Sequence, residues 1–274
     1  MTNNGRLVFK NHSILCVGGA LIRNRGTITL QGDGADPWGD AAIFDNSGSQ
    51  LPPPQLLNSG RIEKTGGTET AFIYARTDNS GTIAVDSGTL AIGVGNTDNG
   101  GVDTGSYTIA SEATLDFAGG TRTLGTGSSI TGTGTLKISS GGLDISRSVG
   151  TVGDLKVVGT LRVTLERSQL SGGNGYLRVS NQADIASGTV QVTSAPGFCG
   201  QLFDSAVLLI YGSSNGHFRQ ERFDAGGQAM SIVYTTGSVN LRIDSANCDV
   251  KPPTVMWAKL DTLGNRQISC CSAT

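Results

Sequence analysis

Aromatic and charged residues are scarce in this chain. Of its 274 residues, 5% are aromatic and 15% are charged, so a core must be built mainly from valine, isoleucine and leucine. The formal net charge of −2 comes without a basic cluster, which argues against a nucleic-acid partner. No run of eighteen apolar residues occurs, so the sequence predicts no membrane-spanning segment.

Residue types that commonly carry catalysis are also few. The only histidines are His12 and His217, and there is no Gly-x-Ser-x-Gly nucleophile motif. No secretion signal is recognisable at residues 1–6, and no series of alternating membrane strands is recognisable at the C-terminus. The sequence therefore offers little that predicts an enzyme or a translocating barrel.

Glycine, by contrast, is abundant, with 41 residues. It recurs at intervals of about twenty residues, a spacing typical of stacked repeat architectures. One interval is shorter and contains three consecutive prolines, Pro52 to Pro54, which predicts a degenerate or looped-out coil. Five of these glycines precede short alternating apolar segments, at residues 6–9, 27–30, 61–64, 82–85 and 106–109.

The segments are strand-like, because apolar residues alternate with polar ones and β-branched residues are frequent. A second short strand fits after each of the first four, at residues 13–17, 41–44, 71–75 and 89–92. Two or three such strands, joined by Gly, Asn, Asp and Ser turns, make one coil of a parallel β-solenoid. The sequence predicts an all-β parallel β-helix with a C-terminal β cap.

The predicted division of the chain has three parts. The solenoid repeats occupy residues 3–195, the β cap residues 196–243, and a tail, linker or docking segment residues 244–274. A cap is expected because a solenoid otherwise ends in an exposed strand edge. Bulky residues that would fill it concentrate after residue 197: Phe198, Leu202, Phe203, Phe218, Phe223 and Tyr234.

Two stretches resemble a known group of proteins. These are NSGTIAVDSGTLAI, at residues 79–92, and TIASEATLDFAGGTRTLGTGSSITGTGTLKI, at residues 108–138. They resemble the repeats of bacterial secreted β-solenoids, which include autotransporter passenger domains and filamentous-haemagglutinin-like adhesins, and the resemblance covers about residues 1–243. It implies a right-handed parallel β-helix with a surface, scaffold or adhesive role, and it transfers no catalytic residue.

One polar loop is a candidate ligand site. Asp33, Asp36 and Asp40 lie within eight residues of one another among glycines, and carboxylates on a flexible loop are ligands that Ca²⁺ prefers. Trp38 in the same loop would stack on a sugar ring. The alternative is a solvated turn at a solenoid corner in which Trp38 covers the neighbouring coil.

Charged and hydroxyl side chains on strands suggest two further classes of function, polysaccharide cleavage and ice binding. A polysaccharide-cleaving β-helix enzyme would carry Asp, Lys and Arg along one face, an arrangement that Lys137, Arg147, Lys156 and Arg162 would imitate. Two candidate carboxylate pairs, Asp144 with Asp154 and Asp116 with Glu112, lie on polar strand faces where solvated charge is expected. Solubilising charge explains the same residues. Thr-x-Thr pairs, at residues 27/29, 121/123 and 133/135, occur in some ice-binding solenoids, although the β-propensity of threonine explains them more simply.

The five cysteines are Cys16, Cys199, Cys248, Cys270 and Cys271. Cys16 lies in an apolar segment, which predicts a buried thiol. Cys199 and Cys248 bracket the last β segment, and a disulfide between them would close a loop of about fifty residues. Their pairing depends on an oxidising location, and spacing alone leaves other pairings open.

These observations favour a non-enzymatic structural or adhesive module of a cell surface or extracellular fibre. The expected partners are further copies stacked end to end, or a surface glycan or protein receptor, and no cofactor is expected apart from the calcium considered above. The alternative is a polysaccharide-degrading β-helix enzyme, a lyase or glycosidase.

Overall fold

The regular structure of the described residues is entirely β. The computed structural model describes residues 1–10, 14–16, 18–32, 40–45, 52–93, 102–166, 175–196, 198–224, 228–245, 258–260 and 266–268. These ranges hold thirty strands and no helix. It follows that no helix in the described part of the chain could cross a membrane.

The strands wind through three faces in turn, and one circuit of three strands is called a coil here. Face 1 holds the first strand of each coil: β1 (Thr2–Asn3), β4 (Leu21–Asn24), β7 (Gln55–Asn58), β10 (Arg76–Asn79), β13 (Val102–Asp103), β16 (Thr121–Leu124), β19 (Gly142–Asp144), β22 (Thr160–Leu165), β24 (Thr189–Ser194) and β26 (Gln220–Asp224). Face 2 holds the second strand: β2 (Arg6–Lys10), β5 (Thr27–Gln31), β8 (Arg61–Gly66), β11 (Thr82–Val85), β14 (Ser106–Ile109), β17 (Ser129–Gly132) and β20 (Val149–Val152). Face 3 holds the third: β3 (Ile14–Cys16), β6 (Asp40–Asp45), β9 (Thr70–Ile73), β12 (Thr89–Ile92), β15 (Thr114–Phe117), β18 (Thr135–Ile138) and β21 (Asp154–Val157).

Two long strands continue faces 2 and 3 without a break. β23 (Tyr176–Asp184) pairs with β20 through its first half and with β21 through its second half. β25 (Ser205–Asn215) pairs in parallel with β23 along both halves. The two halves of each long strand therefore take the places that separate strands occupy in earlier coils.

Equivalent residues stack from coil to coil in register. On face 2 the parallel pairing aligns Leu7, Ile28, Ile62, Ile83 and Tyr107 in one inward row. A single coil cannot bury this row, because its backbone groups and apolar side chains find partners only in the coils on either side. The predicted parallel β-solenoid architecture is confirmed.

The core lies between the three faces and consists mainly of branched aliphatic residues. Ile28, Ile62 and Ile83 are at most 1% exposed, and a second inward row on face 3 aligns Ile43, Ile73 and Ile92. Full burial of such a side chain contributes about 1.5–3 kcal/mol. The predicted valine, isoleucine and leucine core is therefore the main source of stability.

Coil 2 is much longer than its neighbours. Asn24 and Asn58 lie in adjacent strands of face 1 although they are 34 residues apart in the sequence. β5 and β6 likewise pair directly with β8 and β9. The segment that contains Pro52 to Pro54 is thus an extension of one coil rather than a separate degenerate one.

Near the C-terminal end of the stack, where the sequence predicts a cap, an antiparallel hairpin extends face 2. β28 (Ser238–Ile243) runs antiparallel to both β25 and β27 (Met230–Tyr234). Parallel pairing itself continues on face 1 as far as Asp224. The limits of the three predicted parts remain predictions. In the predicted tail, the described residues form a small hairpin of β29 (Ala258–Leu260) and β30 (Arg266–Ile268).

The bulky residues of this region do not all fill the cap. Phe198 and Phe218 are buried, at 8% and 6% exposure. Leu202, Phe203 and Phe223 are 45%, 71% and 37% exposed, so the prediction that they form part of a plug is wrong. Aliphatic residues of the hairpin and of β25 fill the space instead, because their strand alternation faces the core.

Candidate functional site

A ladder of asparagines runs along the corner between faces 1 and 2. Asn3, Asn24, Asn58 and Asn79 each end a face-1 strand and are at most 7% exposed. The Nδ2 of each of the first three donates to the Oδ1 of the next, at 2.8, 2.7 and 2.8 Å. Stacked amides of this kind satisfy buried polar groups between neighbouring parallel strands.

The motif Asn-x-Gly explains the geometry of this corner. The backbone oxygen of Asn58 accepts from the N–H groups of both Ser80 and Gly81 in the next coil, at 2.8 and 3.0 Å. A Cβ at Gly81 would lie 2.1 Å from the carbonyl oxygen of Gly60. Only glycine allows two successive coils to approach this closely at the turn.

The ladder ends in a buried ion pair. At the next position, Asp103 accepts from the backbone N–H of Asn79 at 2.8 Å, from Arg122 Nη1 at 2.5 Å and from the Tyr107 hydroxyl at 2.7 Å. Asp103 and Arg122 are 0% and 2% exposed. Burial raises the pKa of Tyr107 well above its usual range, so its hydroxyl keeps the proton that it donates.

Arg122 also ties three coils together. Its Nη2 donates to the backbone oxygen of Thr77 at 3.1 Å, two coils away, and its guanidinium lies 5.5 Å from the centre of the Phe117 ring. The ring of Phe117 meets that of Tyr107 edge to face at 5.6 Å. This cluster is closed to solvent, so its role is to terminate the ladder rather than to bind a ligand.

A groove of about 330 Å³ lies on the outer surface, directly over the ladder corner. It crosses coils 2 to 5, which at about 4.8 Å per coil gives a length of roughly 15 Å along the stack. Residues on both sides of the ladder asparagines line it: Arg23, Arg25, Leu57, Ser59, Asp78, Ser80 and Val102, with Asn58 and Asn79 beneath.

The lining offers charged, hydroxyl and apolar groups together. Arg23 and Arg25 are exposed, and Val102 is 63% exposed. Ser59 and Ser80 donate their hydroxyls to ladder carbonyl oxygens, at 3.3 and 3.2 Å. Their hydroxyl oxygens therefore remain able to accept hydrogen bonds from a ligand.

Asp78, which also lines the groove, carries a buried carboxylate oxygen. Its Oδ1 atom has no hydrogen-bond partner among the described residues, and the same is true of Nε of Arg76, two residues earlier on the same strand. Buried polar atoms without partners are uncommon and costly. Because both atoms are closed to solvent, they are not part of the surface that the groove offers to a ligand.

The predicted calcium and glycan loop falls largely outside the described residues. Asp33, Asp36 and Trp38 are not among them, and Asp40 is described only as the first residue of β6. No cluster of three or more His, Cys, Asp or Glu side chains suited to a metal occurs in the described ranges. The calcium site and the sugar-stacking role of Trp38 stay predictions.

The charges considered for an enzyme are distributed over different faces and engaged in local contacts. Asp116, Lys137, Lys156 and Asp184 align in one outward row on face 3. Lys137 Nζ lies 2.8 Å from Asp116, and Lys156 Nζ lies 3.9 Å from Asp184.

The remaining candidates lie elsewhere. Asp144 is on face 1, where it accepts from the backbone N–H of Ser146 at 2.9 Å, and Arg162 is its register partner. Arg147 pairs with Glu166, and Asp154 begins a face-3 strand. Asp144 and Asp154, considered as a carboxylate pair, are thus on separate faces.

Threonines form a row that the sequence analysis missed. Thr70, Thr89, Thr114 and Thr135 occupy the first position of four successive face-3 strands. The Thr-x-Thr pairs noted in the sequence lie on different faces, with residues 27 and 29 on face 2 and residues 121 and 123 on face 1. Alignment of the chain into coils, which the irregular intervals obscure, would have identified the row.

The cysteines agree with the sequence analysis where they are described. Cys16 is 4% exposed and is not in a disulfide. Cys199 is disulfide-bonded, and its partner lies outside the described residues. The pairing of Cys199 with Cys248 stays a prediction.

Comparison with known proteins adds no identity to these observations. No protein-family model matches the sequence, and no curated protein matches it.

Proposed function

We propose that this chain is a non-enzymatic structural or adhesive module of a cell surface or extracellular fibre, and that the groove over the asparagine ladder is its adhesive surface. The groove itself carries the proposal, because it follows the coil stack and combines two arginines with serine hydroxyls. The ligand class that fits is an extended, acidic polysaccharide.

The chemistry of the lining supports this ligand class. Arginine binds carboxylate and sulfate groups through paired N–H donors, and Arg23 and Arg25 have no acidic partner among the described residues. The hydroxyls of Ser59 and Ser80 are suited to hydrogen bonds with sugar hydroxyls. The exposed side chain of Val102 is suited to packing against the apolar face of a sugar ring. A groove open at its sides suits a polymer better than a small molecule.

The resemblance of the repeats to those of secreted adhesins is consistent with this role and with an extracellular location. The polysaccharide-degrading alternative needs acid and base groups that converge on one substrate. Asp116 and Lys137 are instead 2.8 Å apart in an ion pair, and Lys156 in the same row lies 3.9 Å from Asp184. Asp144 and Arg162 lie on face 1, away from that row. The structural or adhesive function is therefore favoured.

Titration calorimetry with a polyuronate, a sulfated glucan and a neutral glucan tests the proposal. The wild-type chain should bind at least one acidic polymer more tightly than the neutral one. The double variant Arg23→Ala, Arg25→Ala should bind it at least tenfold more weakly, since a hydrogen bond to a charged group contributes about 1.5–3 kcal/mol.

A matched control removes two exposed arginines from elsewhere. The double variant Arg178→Ala, Arg219→Ala has the same net charge as the groove variant, and both positions are exposed. It should bind like the wild type. Equal weakening in both variants would mean that binding reflects net charge alone and would rule out the groove.

A further inference from the structure

The outward side of face 1 carries one continuous row of side chains along the stack. The N–H groups of Thr104 and Gly105 both donate to the backbone oxygen of Asn79 at 3.0 Å, so Val102 follows Asp78 in this row. Every member is at least partly exposed. In coil order the row is Arg23, Leu57, Asp78, Val102, Thr123, Asp144, Arg162, Gln191 and Arg222.

The groove over the asparagine ladder is the beginning of this row. Its lining includes Arg23, Leu57, Asp78 and Val102, which are the first four members. The remaining members therefore lie in line with the groove and on the same face. A polymer that leaves the groove along the stack meets them in order.

Arg162, in coil 8, is the next arginine along the row. It forms no ion pair with any described carboxylate. Its neighbour in the row, Asp144, accepts instead from the N–H of Ser146 at 2.9 Å and from the hydroxyl of the same serine. Arg162 is partly exposed, so an uncompensated positive charge lies on the surface here.

Gly142 holds Arg162 in place by leaving room for it. A Cβ at Gly142 would lie 2.9 Å from Nε and 3.4 Å from Cδ of Arg162, whereas the φ angle of Gly142 is not in the left-handed region. The arginine side chain, and not the backbone, thus requires glycine at this position. Because Nε of Arg162 is buried, the side chain lies against face 1, and a ligand loses less entropy by ordering it.

Polar groups suited to a sugar surround Arg162. Thr123 and Gln191 belong to the same row, and Thr160 lies two residues earlier on the same strand. All three are partly exposed, and hydroxyl and amide groups both donate and accept hydrogen bonds. The combination of arginine with neutral hydrogen-bonding groups that marks the groove thus recurs at coil 8.

We propose that Arg162 is a second anchoring site for the acidic polysaccharide, so that one extended polymer runs along face 1 from Arg23 to Arg162. Six coil spacings separate the two arginines, a distance of roughly 29 Å, which is about twice the length of the groove. A short oligomer fills the groove alone, whereas a longer one reaches both sites. The second contact is then intramolecular, which raises the affinity. The inference rests on the proposed function for its ligand class and adds a length requirement that the groove alone does not impose.

Titration calorimetry with two size fractions each of a polyuronate and of a sulfated glucan tests the proposal. One fraction has the length of the groove, roughly 15 Å, and the other exceeds roughly 29 Å. The wild-type chain should bind the long fraction of at least one polymer about tenfold more tightly than the short one. Arg162→Ala should remove this preference and leave the affinity for the short fraction unchanged.

Two further variants separate position from charge. Gly142→Ala keeps the net charge but displaces Arg162, so it should weaken binding of the long fraction alone. Its Tm should stay close to that of the wild type, since the clash is with a flexible side chain. Arg178→Ala removes the same charge from an exposed position on face 2, and it should bind both fractions like the wild type.

The outcomes distinguish this inference from the proposed function. Equal affinity of the wild type for the two fractions, or a preference that survives in Arg162→Ala, would overturn the second site and leave the groove standing. An equal effect of Arg178→Ala would assign the preference to net charge and also overturn it. Binding of the long fraction that needs Arg162 but not Arg23 and Arg25 would support the second site and refute the groove. No binding of either fraction would overturn both.

Discussion

At the scale of single residues, the core contains polar side chains where apolar ones would be expected. Lys64 is 0% exposed and lies in a row between Leu30 and Val85, and its Nζ donates to the carbonyl oxygens of Gly66 and Gly67. Arg122 occupies a position that Leu143 fills one coil later. Each buried charge is tolerated because donors and acceptors surround it.

The pair of Asp103 and Arg122 gives a test at this scale. Arg122→Leu should lower the free energy of unfolding by about 3–5 kcal/mol, because it leaves a buried carboxylate without its cation. The double variant Asp103→Asn, Arg122→Leu should recover most of that loss, since it continues the asparagine ladder and the leucine row together. Urea denaturation of the wild type and the three variants, completing the cycle with Asp103→Asn, measures both changes.

A double variant no more stable than Arg122→Leu would contradict the idea that the ion pair of Asp103 and Arg122 takes the place of a further asparagine in the ladder.

The sequence predicts the apolar residues well and the buried polar ones poorly. The sequence predicts the inward isoleucines at positions 28, 62 and 83, because apolar and polar residues alternate after regularly spaced glycines. Asn58 and Asn79, by contrast, have the character of turn residues, and nothing local indicates that their side chains face inward. Only stacking of one coil on the next supplies the partners that make such burial possible.

At the scale of elements, the strands are short because each needs to contribute only two or three inward side chains to its row. β11 and β12, with four residues each, place Ile83, Val85, Leu90 and Ile92 in the core. The corner turns then fix the register, since a shift of one residue would move every inward side chain to the surface. The buried asparagines of the ladder show which residues of successive strands are in register.

The ladder predicts a position-dependent cost of substitution. Asn58→Leu removes two ladder hydrogen bonds inside the stack, so the free energy of unfolding should fall by about 3 kcal/mol, at roughly 1–3 kcal/mol for each buried group left unpaired. Asn3→Leu at the edge removes one such bond and should cost about half as much. Denaturant titration of the two variants provides the comparison, and equal costs at both positions would contradict a ladder of successive bonds.

Element prediction from the sequence fails where coils are irregular. The face-2 and face-3 strands follow from alternation, but the face-1 strands, such as Arg76–Asn79, are polar and resemble loops. They become strands because their backbone groups pair with those of equivalent segments one coil away. For the same reason the groove residues could not be identified beforehand: Arg23, Asp78 and Val102 are far apart in the sequence and meet only through stacking.

At the scale of the whole molecule, the faces of the stack differ from one another. Face 2 finishes with an antiparallel hairpin, whereas face 1 stays parallel as far as β26. Along the side, the groove over the ladder follows the direction of stacking. The stack therefore presents an extended lateral surface, which is the surface proposed above for adhesion.

The central claim is that the chain holds a polysaccharide without changing it. The direct measurement is the molar mass of an acidic polysaccharide, determined by size-exclusion chromatography with light scattering, after prolonged incubation with the chain. The account predicts co-elution of protein with polymer and an unchanged polymer mass. A falling polymer mass, which would mean cleavage, or the absence of co-elution would contradict it.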